Sequence, residues 1–169
     1  TGLALENSQL TAEIAAEAAQ RERLNREIEI AREVQERLFP QKLPAIKGLD
    51  CAGHCRPALG VGGDYYDFLA LPGSRLGLVI GDVSGKGIAA ALLMASLQAS
   101  VRGQSMRGEQ NLAQLMANVN SLIYEASASS RYATLFYAQL DPASRRLDYV
   151  NAGHNPPLLV RGGEAIHLE

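Results

Sequence analysis

Asp64 and Asp82 are the residues of this chain best placed by type and neighbourhood to do chemistry. Asp64 lies in the run Gly62-Gly63-Asp64-Tyr65-Tyr66-Asp67, and Asp82 in Gly81-Asp82-Val83-Ser84-Gly85-Lys86-Gly87. Each run sets a carboxylate beside glycine backbone at the end of a predicted strand. Two carboxylates brought together suit a hard divalent cation, which prefers oxygen ligands. The backbone carbonyl of Val83 offers a third oxygen. A cation held there lowers the pKa of water and orients a phosphoryl group, so the chemistry indicated is metal-assisted attack on phosphate. An aspartate beside glycine also reads as a turn residue capping backbone amides. The metal reading therefore depends on whether the two runs meet.

A nucleotide-binding loop is the rival reading of Gly81 to Gly87, and it fails in three places. One residue too few separates the glycines, Gly87 stands where Ser or Thr would bind magnesium, and Asp82 puts negative charge where phosphate would sit. The same charge that spoils this reading supports a cation.

The elements around the runs give them a reason to meet. Residues 64–71 and 75–81 read as strands, and Pro72-Gly73 between them is a turn signal, so the pair forms an antiparallel hairpin. Asp64 and Asp82 then fall at the same end of it. Residues 49–56 alternate through Leu49, Cys51, Gly53 and Cys55 and read as a further strand. Helices follow at 86–102, apolar nearly all round and therefore buried, with Gly103 as its stop, and at 109–126. The second helix carries Leu112, Leu115, Met116, Val119, Leu122 and Ile123 on one face. Strands return at 131–140, 145–151, 157–161 and 164–168, with turns at Asp141-Pro142 and Gly162-Gly163. Strands, then helices, then hairpin-linked strands indicate an antiparallel α+β domain.

Residues 3 to about 38 read as one helix, free of proline and of glycine after Gly2. Leu3, Leu10, Leu24, Ala31 and Leu38 recur in steps of seven or fourteen, and Asn7, Ile14, Arg21, Ile28 and Gln35 interleave as a second heptad position. This is a coiled-coil seam, interrupted at Glu17 and Arg21, and Asn7 favours a parallel two-stranded register. The expected organisation is a coiled-coil signalling or linker helix over residues 1–40, stopped at Pro40, and a domain over 45–169. The chain reads as an excised piece of a longer protein.

Composition narrows the classes. The chain has 169 residues, 47% hydrophobic and 20% charged, with a formal net charge of −2. That is enough apolar content for a core and too little basic charge for nucleic acid to be the expected partner. No apolar run reaches the roughly 18 residues of a membrane span, and no secretory signal opens the chain. Cys51 and Cys55, on one strand, would stand roughly 13 Å apart at about 3.3 Å per residue, too far for a disulfide. With His54 between them their number and spacing are poor for zinc. They read as two small core residues in a reducing, cytoplasmic setting.

The runs Arg56-Pro57-Ala58, Val61 to Asp67 and Ile80 to Gly87, with Ala89 to Ala95 and Asn151-Ala152-Gly153-His154, resemble the bacterial regulatory branch of metal-dependent protein phosphatases. This is the sporulation-protein-E and sigma-factor-regulator type, related to protein phosphatase 2C. Ala31 to Pro40 is similar to the linker helix that such enzymes carry, and the likeness runs from about residue 28 to the end. The resemblance implies a sandwich of two antiparallel sheets flanked by helices on both outer faces, here C-terminally truncated and preceded by the long coiled-coil helix. It implies a serine/threonine phosphatase with two Mn²⁺ or Mg²⁺ ions. On the matching positions Asp64 and Asp82 would be metal ligands, with Val83 adding its carbonyl. Ser84 falls where eukaryotic relatives have a histidine thought to protonate the leaving group, and a serine hydroxyl is a poor acid. Arg56 is a candidate phosphate-binding residue. His154 lies in a turn whose relatives approach the metal centre, and Lys86 reads as a residue at the start of the helix with its charge solvated.

The substrate so implied is a phosphorylated regulatory protein of the anti-sigma-factor-antagonist type. Residues 1–10 are similar to the closing helix of a GAF-type sensing domain, which implies an upstream sensor and a homodimer through the N-terminal helix. Family members carry further metal-binding aspartates in their C-terminal part, one in an Asp-Gly pair, and nothing after Asn151 matches them. The expectation is that this fragment binds metal weakly and has little activity of its own. The alternative is a non-catalytic phosphatase-like binding module acting as a dimeric scaffold.

Overall fold

The structure, a computed structural model, describes residues 2–106, 111–127 and 130–168, and of residues 3–6 the backbone alone. Helix α1 spans Gly2–Leu38. At 1.5 Å per residue its 37 residues extend about 55 Å. Ion pairs at i,i+4 spacing, Glu22–Arg26, Arg23–Glu27 and Arg32–Glu36, support its exposed stretch weakly. The helix stops two residues before Pro40, as the sequence predicts.

The seam changes character along α1. Leu10, Ile14 and Leu24 are more than half exposed, and Leu3 lies among the side chains outside the described residues. From Ile28 onward the same stripe turns onto the chain's own domain. Ile28 packs over Gly60, Ala31 and Leu38 are half-buried, and Gln35 is buried.

The domain is built on a four-stranded antiparallel sheet in the order β1 (Tyr65–Leu71), β2 (Arg75–Val83), β3 (Ala133–Asp141) and β4 (Arg146–Ala152). A 3-10 turn at Pro72–Ser74 closes the β1–β2 hairpin, with Gly73 at φ 74°. Helices α2 (Ile88–Ser105) and α3 (Leu112–Ala126) cover one face. Inward side chains of the sheet, Tyr65, Val79, Val83, Leu135 and Tyr137, meet Leu93, Met94, Leu97 and Val101 of α2 and Leu115, Val119 and Ile123 of α3 in one core. The opposite sheet face carries Phe68, Leu78, Ile80, Phe136 and Tyr149 by the alternation of the strands. A second sheet is the hairpin β5 (Leu158–Arg161) with β6 (Glu164–His167), turned at Gly162-Gly163.

Four expectations are corrected. Residues 49–56 form no strand; the only pairing that touches them is an isolated bridge of Leu49 with Ile46. Gly53 is a glycine because the Tyr66 ring lies on it, so that an added Cβ would fall 2.2 Å from the ring, and Tyr66 Oη donates to its carbonyl. Cys51 and Cys55 are thus free and half-buried in an extended segment, not in the core. Helix α2 is not buried all round, since Leu92 is 66% exposed and Ile88 50% exposed. It lies against the sheet on one side, and its outer side is left open among the described residues. The helix also runs through Gly103 to Ser105, where Met106 caps it by donating to the carbonyls of Arg102 and Gln104. The start of α3 is set by Asn111, whose Oδ1 accepts from the amide of Ala113; residues 109 and 110 lie outside the described residues.

Candidate metal centre

The hairpin register brings the two aspartate runs together. Tyr65 pairs with Gly81, and the Val83 amide donates to the Gly63 carbonyl at 3.2 Å. Between those two pairs the register sets Asp64 opposite Asp82. Both carboxylates therefore lie on one sheet face, away from the core and at one end of the sheet. Gly63 is pressed against the carbonyl of Val83 so closely that a Cβ there would meet its oxygen at 2.4 Å. A side chain at 63 would fill the space beside the third candidate oxygen, and this close approach requires the glycine.

Electrostatics agree with the geometry. Burial, and next the Asp64 charge, push the Asp82 carboxyl above its ordinary value, while His154 pulls it partly back. Two carboxylates are held within each other's field beside one carbonyl. This all-oxygen set fits a hard cation such as Mg²⁺ or Mn²⁺, which would also draw oxygens from water or substrate to complete its shell. Among the described residues no group of three or more His, Cys, Asp and Glu side chains gathers, so the set is the pair plus the carbonyl.

His154 reaches the same place by a separate route. Thr134 is the ladder partner of Asp82, and its Oγ1 lies 2.9 Å from His154 Nδ1. The turn that carries His154 is clamped by Asn151, which accepts from the His154 amide at 2.8 Å and donates to its carbonyl at 3.0 Å. Gly153 takes φ 73° in that turn. His154 is therefore a hydrogen-bonded turn histidine whose charge is felt by Asp82.

Ser84 extends the β2–β3 ladder beyond Val83. Its amide donates to the Tyr132 carbonyl at 2.9 Å, and its Oγ accepts from the Tyr132 amide at 3.0 Å. Arg131 Nη1 donates to its carbonyl at 3.1 Å. The turn after Asp82 is thus fixed on one side by residues 131–132. Arg56 is exposed and stands in a different cleft, of about 750 Å³, with Arg32, Gln35, His54 and Cys55. Its neighbour Cys55 has its thiol pushed up by burial and then by the Asp64 charge. Arg56 follows Cys55 in the chain, and no hydrogen bond holds it among the described residues.

Four contacts escaped the sequence reading. Asp67, inside the run that names the site, is buried and takes no part in it. Arg102 of α2 grips it through Nε at 2.6 Å and Nη2 at 3.0 Å, and Tyr65 Oη donates to it at 3.0 Å. An aspartate at an inward position of an alternating strand is the signal that it needs a cationic partner. Gln35 of α1 brackets Gly62, donating to its carbonyl at 2.8 Å and accepting from its amide at 3.0 Å. Gln98 donates to the carbonyl of Leu38, and Phe39 stacks on Tyr66 with centroids 5.2 Å apart. The last turn of α1 is thus bonded two residues from Asp64.

Residues 72–169 match the family described as Stage II sporulation protein E (SpoIIE). That stretch includes Asp82 and His154 and begins after Asp64. The chain is 35% identical over 130 residues to the phosphoserine phosphatase RsbU of Bacillus subtilis, covering 77% of this chain and 38% of that protein. It is 31% identical over 146 residues to the phosphoserine phosphatase RsbP of the same organism, covering 85% of this chain and 36% of the relative. The chain thus spans well under half the length of these curated relatives. The crystal structure of the RsbU and RsbW domains of a Mycobacterium tuberculosis protein superimposes with a TM-score of 0.58 at 38% identity, over 64% of this chain and 30% of that one.

Proposed function

The chain belongs to the SpoIIE family, and from that premise we propose that the intact protein is a metal-dependent serine/threonine protein phosphatase. The observation that carries the proposal is the register that faces Asp64 with Asp82 at one sheet end, each within the other's field. Relatives named as phosphoserine phosphatases support the reaction class. The substrate class we assign is phosphoserine or phosphothreonine on a regulatory protein of the anti-sigma-factor-antagonist type.

In this reading Asp64, Asp82 and the Val83 carbonyl hold Mn²⁺ or Mg²⁺. The cation, one of the two that the family resemblance implies, would supply positive charge for the phosphoryl oxygens and would make water a better nucleophile. The chain's own residues do the positioning. Gly63 leaves the Val83 oxygen uncovered, and the Ser84–Tyr132 ladder with Arg131 fixes the turn behind Asp82. Thr134 holds His154 by Nδ1 beside Asp82, its ladder partner. Arg56 takes substrate phosphate from the neighbouring cleft. Residues 1–40 form the signalling helix and 45–169 the phosphatase portion. The exposed Leu10, Ile14 and Leu24 pair two chains in a homodimer below a sensor domain. No helix of the described residues is long and apolar enough to cross a membrane, and we place the protein in the cytoplasm.

The test is phosphate release from a phosphoserine protein by the intact protein as manganese is added. Asp82→Asn lowers it by at least about 100-fold, more than the 10- to 100-fold typical of losing a residue that only supports a metal ligand. Release unchanged by that substitution refutes the metal role of Asp82, and no manganese-dependent release from the intact protein leaves the non-catalytic binding module as the better reading.

A further inference from the structure

A cleft of about 490 Å³ opens between α3 and the β3–β4 half of the sheet. That size lies within the roughly 300–1,000 Å³ typical of small-molecule sites. Its walls are apolar, with Met116, Val119 and Ile123 from α3 facing Leu135 and Val150 of the strands. Val119, Ile123 and Leu135 belong to the buried core, so this wall is preformed. Polar groups stand at one end, where Arg131 and Tyr132 leave the sheet. Arg131 uses one N–H, Nη1, on the Ser84 carbonyl, and it pairs with no carboxylate among the described residues. A half-buried guanidinium keeps its charge and presents further donors in a fork that matches a carboxylate.

We propose that this cleft binds an amphipathic monoanion, with its apolar body along α3 and its acidic head on Arg131. An apolar trough alone would not choose among hydrocarbons; the guanidinium at its end, paired with no carboxylate among the described residues, selects an anionic head. The site also touches the turn behind Asp82. Arg131 Nη1 is so close to Gly85, φ 100°, that a Cβ there would fall 2.7 Å from it. A head group that pulls on this guanidinium is therefore read out at Ser84 and Gly85. The inference is independent of the phosphatase reading, since binding is measured without metal or substrate.

The experiment titrates the intact protein with sodium octanoate and with 1-octanol, by calorimetry and by amide NMR. Octanoate saturates one site, octanol binds at least about tenfold more weakly, and octanoate shifts the Ser84 and Gly85 amides. Arg131→Gln brings octanoate down to the level of octanol. Ala117→Trp, at the exposed rim of the cleft, removes both. Absence of saturable octanoate binding, equal affinity for the two probes, or binding untouched by both variants overturns the proposal.

Discussion

Asp64 and Asp67 stand three residues apart at the start of one strand, and the fold treats them in opposite ways. Asp67 points into the core side of the sheet, its side chain 0% exposed, and the protein supplies its counter-charge from Arg102. Tyr65 Oη and the Phe68 amide take further lone pairs of the same carboxylate. Asp64 points to the other face and meets a second carboxylate, Asp82, with no protein cation bonded to either among the described residues. A carboxylate neutralised by the protein ties elements together; here it pins β1 to α2. A carboxylate pair left with its repulsion is held ready for a charge from outside. Sequence proximity says nothing about which is which, and strand alternation decides it.

The sharpest way to break this contrast is to remove the buried member. Asp67→Ala leaves Arg102 without its partner and Tyr65 Oη without an acceptor. Breaking a fully buried pair costs about 3–5 kcal/mol. Arg102 is 42% exposed and can rehydrate, so we expect about 2–4 kcal/mol and a melting temperature lower by roughly 5–15 °C. The manganese affinity of the folded protein should be unchanged. A large loss of manganese affinity would show that the two aspartates are not separate in role.

The opposite sign is expected across the sheet. Asp64→Asn removes one of two like charges, so the metal-free protein should gain a few tenths to about 1 kcal/mol in a urea melt. Manganese at 100 times its dissociation constant stabilises the parent by about 2.7 kcal/mol, and it should do far less for Asp64→Asn. If Asp64→Asn destabilises the metal-free protein as Asp67→Ala does, Asp64 is a structural turn residue.

Much of this was legible in the sequence, and the misses have physical causes. The Pro72-Gly73 turn and the patterns on either side of it fix the hairpin, and the hairpin alone places Asp64 against Asp82. The turn reading of His154 also follows from its own neighbours, Asn151 and Gly153. The false strand at 49–56 rested on alternation through Gly53, but that glycine answers to the Tyr66 ring, a contact 13 residues away. Gln35 fell on the heptad seam and was read with its apolar neighbours, whereas its amide seeks the Gly62 backbone 27 residues on. Arg102 is 35 residues from Asp67. Local patterns reveal what neighbours in sequence settle, and these contacts are settled only by the packing of α1 and α2 on the sheet.

The smallest effect tests the buried side most finely. Tyr65→Phe keeps the ring in the core and removes only the hydroxyl that donates to Asp67, a loss of about 1 kcal/mol at pH 7. The variant should also change the response to alkali. Burial first, and then the charge and hydrogen bond of Asp67, push the Tyr65 phenol well above its ordinary value near 10. Above pH 10 the unfolded chain therefore releases this proton while the folded one keeps it. The folded state binds the extra proton, so its stability falls as pH rises, by up to about 1.4 kcal/mol per unit. The Tyr65→Phe variant carries no such proton, and the loss is absent from it. Urea melts at pH 7, 10 and 11 should show the variant weaker than the parent at neutrality and converging with it in alkali. A gap that stays constant to pH 11 would mean that the phenol ionises as freely in the core as in water, and that Asp67 does not hold it.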